Sequence, residues 1–122
     1  MLTHNKIPFI SENVSMIKAL KIMTEKKLGT LIVRNKKNYT TGIITDGQIR
    51  KLNSKNINFN FLKVKNVMTK YPIKIEKNTL ATKALSIMNE KKITCLCVYD
   101  KKKKSKTIGI IHIHNILENK IY

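Results

Sequence analysis

The sequence has few of the features that mark a secreted, membrane-spanning or disulfide-rich protein. It contains two cysteines, Cys95 and Cys97, and no apolar run approaches the roughly 18 to 20 residues that a membrane helix needs. The N-terminus lacks the apolar stretch of a signal peptide. The cysteines lie two positions apart in a run typical of a buried strand, a geometry that suits a disulfide poorly. We therefore expect a cytoplasmic protein with reduced core thiols and no association with a membrane.

The sequence is equally poor in groups that could catalyse a reaction. Only seven acidic residues are present, and no carboxylate pair has a spacing suited to acid–base chemistry. No nucleophile is accompanied by a base. His112 and His114 share a predicted strand end, but no carboxylate or thiolate is placed to complete a metal site with them. We expect this chain to have no catalytic activity, no resident cofactor and no metal.

The net charge of +18 raises the question of a nucleic-acid partner. The basic residues are nearly all lysines spread along the chain, whereas bidentate contacts to bases and phosphates favour arginine, which occurs only at Arg34 and Arg50. The one dense cluster, residues 101–104, falls at a predicted hairpin, so we expect a solvated turn. Nucleic acid is not an expected partner, and a basic nucleic-acid-binding module is the alternative interpretation.

An internal duplication organises the chain. Residues 19–28 align without gaps with residues 84–93, and the match continues through the strand that follows each of them. After a loop two residues longer in the second copy, residues 42–44 match residues 109–111, and residues 7–10 correspond roughly to residues 71–75. Two copies of one unit account for nearly the whole chain. We predict residues 1–53 as repeat 1, residues 54–66 as a linker and residues 67–122 as repeat 2.

The longest predicted element in each copy is an amphipathic helix. Residues 19–28 and 84–93 carry apolar side chains at helical spacing. Residues 11–15 and residues 78–79 offer N-cap chemistry before them, and Gly29 is the predicted terminator of the first helix.

A predicted hairpin and a second helix follow each amphipathic helix, and the linker lies between the copies. The linker is rich in Asn and Lys, and we expect it to be irregular and held by Phe59, Phe61 and Leu62. The predicted strands are residues 30–33, 41–45, 94–99 and 107–112, and the predicted second helices are residues 46–52 and about 114–120.

One copy alone would leave a face of its small sheet apolar and uncovered. Pairing two copies about a pseudo-two-fold axis would bury that face. The predicted fold class is therefore α/β (α+β), with two βαββα repeats related by a pseudo-two-fold axis.

These residues resemble a tandem pair of CBS domains over the whole chain. The resemblance rests on a strand with proline, an amphipathic helix, a hairpin, and a Gly-Ile-Ile-Thr-Asp-Gly turn into a final helix. A closer resemblance is to the C-terminal CBS pair of the arabinose-5-phosphate isomerases, sugar-phosphate enzymes of lipopolysaccharide synthesis. The segments that carry it are residues 27–29, 42–50, 67–69, 92–94 and 112–117.

The resemblance implies where a ligand would bind. In CBS pairs two clefts lie between the repeats, and a hydroxyl residue ending the last strand is followed three residues later by an aspartate that holds a ribose diol. Thr45 matches the first hydroxyl position, but His112 takes the second, and Gln48 and Asn115 replace the aspartates. The expected ligand-binding residues are Pro8, Thr30, Thr45, Asp46, Gln48, Thr69, Pro72, Thr94, His112, His114 and Asn115.

The two amide replacements change the expected ligand. An amide forfeits a charge-assisted hydrogen bond, at a cost of about 1 kcal/mol per contact, and both clefts lose a negative charge. We therefore expect a small anionic ligand, such as a regulatory nucleotide, a nucleotide sugar or a sugar phosphate, and among these we favour a sugar phosphate or CMP-Kdo over AMP.

The resemblance also implies partners beyond a small ligand. CBS pairs commonly stack as homodimers, and a covalently attached sugar isomerase (SIS) domain precedes the pair in the isomerases. Residues 1–3 resemble residues 67–69, which suggests a fragment of a longer protein. A dimerisation domain without a ligand is a further alternative.

Overall fold

The computed structural model describes residues 2–3 and 7–113. The second helix predicted for repeat 2, at about residues 114–120, lies outside the described residues. The elements are β1 (Leu2–Thr3), β2 (Phe9–Ser11), α1 (Met16–Glu25), β3 (Thr30–Arg34), β4 (Thr40–Thr45), α2 (Asp46–Ser54), α3 (Val64–Val67), β5 (Thr69–Lys70), β6 (Lys74–Glu76), α4 (Ala81–Lys91), β7 (Cys95–Tyr99) and β8 (Gly109–His112).

The chain divides into two compact units. Pro8–Tyr71 form the first, which we call the central unit, and Met1–Ile7 with Pro72–Tyr122 form the second, the terminal unit. The central sheet has the order β2-β3-β4-β5, and the terminal sheet has the order β1-β8-β7-β6. In each sheet one parallel pair adjoins an antiparallel hairpin.

The fourth strand of each sheet comes from the other repeat of the sequence. β5 pairs with β4, and β1 pairs with β8, both antiparallel. The sequence did not predict this exchange. The boundaries drawn at residues 53, 54, 66 and 67 describe the duplication in the sequence and remain a prediction.

The central core lies between one face of the sheet and the helices. Leu31, Val33 and Ile44 are at most 1% exposed and pack with Ala19 and Met23 of α1. Ile32 and Ile43 on the opposite face are buried as well. Both faces of this sheet are therefore removed from water.

The terminal unit repeats this pattern. Leu96 and Val98 pack with Ala84 and Met88 of α4, while Cys95 and Cys97 lie on the alternate face of β7. Both cysteines are buried thiols that form no disulfide, as the sequence predicted.

The predicted helix starts are right for one copy and wrong for the other. Ser15 is the N-cap of α1, and its side chain accepts a hydrogen bond from Lys18 N. The N-cap of α4 is Leu80, not Asn78 or Thr79, and no side chain caps it. The Glu76 carboxylate accepts from the backbone N–H of Asn78, which draws residues 76–79 into a turn ahead of the helix.

The predicted terminator Gly29 is also wrong, because the helix ends earlier. Lys27 (φ 53°) takes the left-handed conformation after α1, and Lys92 (φ 56°) takes it after α4. In both copies the residue after this lysine donates a backbone hydrogen bond to the carbonyl five residues earlier. Leu28 N donates to the Met23 carbonyl and Ile93 N to the Met88 carbonyl, each at 2.9 Å. These bonds close a Schellman motif that places an apolar residue back against the helix.

Residues 55–63 are irregular, and the short helix α3 follows them. Phe59 is buried and Leu62 packs against the central core, as predicted, but Phe61 is 94% exposed and is not an anchor. Lys101–Lys104 lie exposed in the turns between β7 and β8. In the part of the chain that the structure describes, no helix is long and apolar enough to cross a membrane.

Candidate functional site

Two threonines face each other where the central hairpin meets α2. Thr30 and Thr45 are direct partners in the β3–β4 register. The adjacent pair on the side of α2 is Gly29 and Asp46, and it is joined by a hydrogen bond from Asp46 N to the Gly29 carbonyl, 2.9 Å long. Because bonded and non-bonded pairs alternate, Thr30 and Thr45 form a non-hydrogen-bonded pair, whose side chains are the closer kind. Two half-buried hydroxyls therefore lie side by side at the start of α2.

Thr45 also caps α2. Its Oγ1 accepts a hydrogen bond from Gln48 N at 3.2 Å, so its hydroxyl proton remains available to a ligand. Asp46 is exposed and its carboxylate contacts the Arg50 guanidinium at 3.3 Å. The helix end supplies a positive dipole and the pair Asp46–Arg50 is a solvated, weak ion pair.

Within the described residues, only the nitrogen of the Gln48 side-chain amide has a hydrogen-bond partner. Its Nε2 donates to the Val67 carbonyl of α3, which orients the group. Its Oε1 is buried and has no hydrogen-bond partner in the described part of the chain. An unpaired buried acceptor costs about 1 to 3 kcal/mol, so a ligand hydroxyl or amine that reached it would recover that energy.

Two further predicted residues lie beside the hairpin of the central unit, Thr69 in β5 and Pro8 just before β2. Thr69 is exposed in β5, opposite Ile43 of β4. Pro8 is half-buried beside β3, and its carbonyl accepts from Ile32 N at 2.9 Å. The central unit thus holds Thr30, Thr45, Asp46 and Gln48 together at one end of the sheet, with Thr69 in β5 on one side and Pro8, just before β2, on the other.

The terminal unit has the same geometry with different chemistry. Cys95 and His112 are direct partners in the β7–β8 register, and Ile113 N donates to the Thr94 carbonyl at 2.8 Å beside them. They too form a non-hydrogen-bonded pair, in which the thiol is buried and the imidazole half-buried. A thiol and an imidazole therefore replace the two hydroxyls of the central unit.

Sequence reasoning missed Cys95 as the counterpart of Thr30. The structure places Thr94, an exposed residue, at the position of Gly29 instead. The sequence does contain this correspondence, because aligning Leu31 with Leu96 without a gap aligns Thr30 with Cys95. Pro72 is half-buried, and the carbonyl that matches Pro8 belongs to Ile73. His114 and Asn115 lie outside the described residues.

The neighbouring Cys97 is a core residue rather than a reactive one. Burial raises the pKa of its thiol to about 11, against smaller opposing effects from a hydrogen bond with Thr107 and from the charge of Lys74. A thiol with this pKa is protonated at neutral pH and is a poor nucleophile. Across residues 2–3 and 7–113, no three His, Cys, Asp or Glu side chains are grouped to hold a metal ion.

Two kinds of relative match this chain. Arabinose 5-phosphate isomerase KdsD of Yersinia pestis is 34% identical over 117 residues, which are 96% of this chain and 35% of that protein. An uncharacterised protein of Rickettsia prowazekii is 35% identical over the same length and share. The chain therefore spans about a third of these curated relatives.

Solved structures match over nearly the whole chain. CBSX2 in complex with AMP, a protein of Arabidopsis thaliana, has a TM-score of 0.84 at 25% identity, covering 98% of this chain and 91% of that one. The CBS domain pair of protein MJ0100, in complex with 5′-methylthioadenosine and S-adenosyl-L-methionine, has a TM-score of 0.82 at 19% identity, covering 97% and 90%. The second likeness shows the fold alone.

The family comparison agrees with both sets of relatives. The CBS domain family matches residues 2–55 and again residues 64–121, one match for each copy of the duplication. The α+β architecture with two small sheets is the one found in solved CBS pairs. CBS pairs are in general regulatory rather than catalytic modules. This chain belongs to the CBS domain family and is a CBS pair.

Proposed function

We propose that this chain is the ligand-sensing regulatory module of a sugar-phosphate isomerase and binds a small anionic metabolite. The proposal that the chain binds a ligand rests on the unpaired, buried Oε1 of Gln48, which lies beside the hydroxyl-capped start of α2. A polar site of this kind suits a ligand that brings both a hydroxyl donor and a negative charge.

The proposed ligand differs from an adenylate for an electrostatic reason. CBSX2 was solved with AMP, and MJ0100 with two adenosine derivatives. In CBS pairs of that kind a carboxylate holds the ribose diol, whereas the two matching positions here carry the amides of Gln48 and Asn115. Removing two negative charges favours a more anionic ligand, and we propose a sugar phosphate or CMP-Kdo.

Four residues of the central unit carry the proposed contacts. Thr45 donates its hydroxyl proton, Gln48 accepts through Oε1, and Thr30 adds a second hydroxyl next to Thr45. Asp46 lies exposed at the helix end with its backbone N–H bonded to the Gly29 carbonyl, and the Arg50 guanidinium that contacts its carboxylate adds a positive charge there. In the terminal unit His112 would supply an imidazole where Thr45 supplies a hydroxyl, and Pro72, Thr94, His114 and Asn115 complete the proposed set.

The proposed parent follows from the share of the relatives that the chain spans. The matched 35% of KdsD leaves most of that protein for other domains. We propose that a covalently attached SIS domain performs the isomerisation and that two chains associate as a homodimer. The ligand would shift the balance between two arrangements of the repeats by the difference in its affinity for them.

Calorimetric titration of the 122-residue protein tests the proposal. AMP, ATP, CMP-Kdo and arabinose 5-phosphate are titrated in turn at fixed ionic strength. We expect CMP-Kdo or arabinose 5-phosphate to bind more tightly than AMP, and Thr45→Val to weaken that binding. Tight binding of AMP alone would contradict the ligand class, and binding of none of the four would contradict the sensing role.

A further inference from the structure

A second polar pocket lies at the far end of the central sheet from Thr45. Its volume is about 280 Å³, and its lining includes Phe9, Ser11, Arg34, Asn35, Lys36 and Asn38. It is formed where β2 and β3 end. Thr30 and Arg34 are the two ends of β3, about 13 Å apart at the rise of an extended strand. The pocket is therefore separate from the site at the start of α2.

The Arg34 guanidinium packs on an aromatic ring and forms no ion pair with a carboxylate of the described residues. Its guanidinium lies over the Phe9 ring, 4.0 Å from the centroid. Stacking occupies the face of the guanidinium and leaves its N–H edge free for a bidentate contact. Among the ion pairs of residues 2–3 and 7–113 none involves Arg34, and no carboxylate lines the pocket.

The loop that carries Lys36 is fixed by its own hydrogen bonds. The Asn35 side-chain Oδ1 accepts from the backbone N–H groups of Lys37 and Tyr39, each at 3.0 Å. Asn38 takes the left-handed conformation at φ 65°, which asparagine tolerates well. The Lys36 side chain thus extends from a rigid turn, and the pocket is organised before any ligand arrives.

The terminal unit provides an internal comparison, because its matching corner contains an ion pair. Registers Ser11↔Arg34 and Glu76↔Tyr99 show that Glu76 takes the place of Ser11 and Tyr99 that of Arg34. A cation–π contact is present there too, because Lys74 Nζ lies 5.3 Å from the centroid of the Tyr99 ring.

That corner also has its own carboxylates. Asp100 contacts Lys77 at 3.0 Å, and Glu76 lies beside them. Asp100 therefore neutralises Lys77 in the terminal corner. No ion pair of the described residues involves Arg34 or Lys36 in the central corner, where the Glu12 carboxylate, next to Ser11 in sequence, accepts a hydrogen bond from Thr41 at 3.2 Å.

We propose that this pocket, which we call the Arg34 pocket, binds the phosphate or carboxylate group of a small molecule. Arg34 provides the bidentate contact, Lys36 a second positive charge, and Ser11 a hydroxyl donor at the rim. The Ser11 Oγ already accepts from Asn13 N at 3.3 Å, which leaves its proton for an oxyanion.

Backbone NMR of the ¹⁵N-labelled chain tests the proposal. Inorganic phosphate and acetate are titrated separately against sodium chloride of equal ionic strength. We expect the amides of residues 34–38 to shift and saturate with one or both oxyanions and not with chloride. Saturation by phosphate alone identifies a phosphate ester as the ligand class, and saturation by acetate alone identifies a carboxylate.

Substitutions of Arg34 and Lys36 test whether these two cations cause the amide shifts. Arg34→Gln and Lys36→Gln should each weaken the oxyanion by about tenfold, the equivalent of one charge-assisted hydrogen bond. Lys18→Gln, an equal change of charge at an exposed position of α1, should leave the affinity unchanged. Lys36→Gln removes no packing, so it remains informative if Arg34→Gln unfolds.

The proposal is overturned if chloride shifts the same amides as strongly, or if phosphate and acetate produce no saturable shift. It is also overturned if all three variants weaken the oxyanion equally, because that result indicates diffuse charge. Binding at residues 45–48 is read in the same spectra, so failure of the Arg34 pocket is distinguishable from failure of the metabolite site.

Discussion

Gly42 in β4 lies directly against Met68, the residue that leads into β5. A Cβ atom at Gly42 would overlap the Met68 Sδ and come within 3.0 Å of its Cβ. Gly42 belongs to the first copy of the duplication and Met68 to the second. The absence of a side chain at Gly42 therefore allows the leading segment of one repeat to join the sheet of the other.

Gly42→Ala should lower the free energy of unfolding by about 1 to 3 kcal/mol, because Met68 must shift to admit the methyl group. Met68→Ala in the same chain should recover part of the loss. Urea denaturation of the four proteins of this double-mutant cycle gives the coupling. Gly47→Ala is the matched control: it meets only Arg50 Nη2 at 3.7 Å within α2 and should not destabilise. Additive effects of the Gly42 and Met68 changes would contradict the contact.

Replacing the left-handed lysines should stabilise the protein. Lys27 and Lys92 pay the steric cost of a Cβ at positive φ, so Lys27→Gly and Lys92→Gly should each raise the free energy of unfolding by about 0.5 to 1 kcal/mol. Thermal denaturation of the variants measures this. Gly29, the terminator predicted from sequence, has no positive φ, so Gly29→Ala should bring no comparable strain. A loss of stability in both lysine variants would show that the Schellman ends are wrong.

Cys97 should make stability fall at high pH. Its pKa is about 11 in the folded protein against 9.0 for an ordinary thiol, so the unfolded chain loses its proton first as the pH rises. The stabilisation is fully present below pH 9 and declines between about pH 9 and 11, by up to about 2 to 3 kcal/mol. Urea denaturation from pH 8 to 10.5 of the protein and of Cys97→Ala isolates this contribution, since lysines titrate in both. Equal slopes would contradict the raised pKa.

The lysine turn should bind polyanions only weakly. Lys101–Lys104 are exposed, so their attraction to heparin is screened by salt. We expect elution from heparin below about 150 mM salt, and Lys102→Gln with Lys103→Gln should lower that value further. Retention at well above 150 mM would favour the alternative, a nucleic-acid-binding module.

The fold could be read from the sequence because each copy carries a strong helical stripe. Ala19 and Met23 recur as Ala84 and Met88, and all four side chains are buried where that spacing predicts. The exchange of β1 and β5 could not be read, because strands of two residues have no periodicity. Lysine is also an uncommon residue at a left-handed helix end, so the sequence pattern favours Gly29 as the terminator instead.

The candidate site was predicted in part for similar reasons. Thr45 and Gln48 were found because the turn into α2 has a distinctive sequence, and the structure brings them together. The unpaired Oε1 of Gln48 depends on how Val67 orients the amide from a distant segment, which no local pattern encodes. Cys95 was missed because a cysteine does not resemble the threonine that it replaces.

The central claim is that the amide of Gln48 sets the ligand class. Gln48→Asp introduces the carboxylate that the resemblance to CBS pairs implies for a ribose diol, and Asn53→Asp adds one negative charge at an exposed position of α2. The direct measurement is the ratio of the calorimetric Kd values for AMP and CMP-Kdo in the three proteins. The account predicts that Gln48→Asp shifts this ratio toward AMP by about tenfold while Asn53→Asp leaves it unchanged. An unchanged ratio in Gln48→Asp would contradict it.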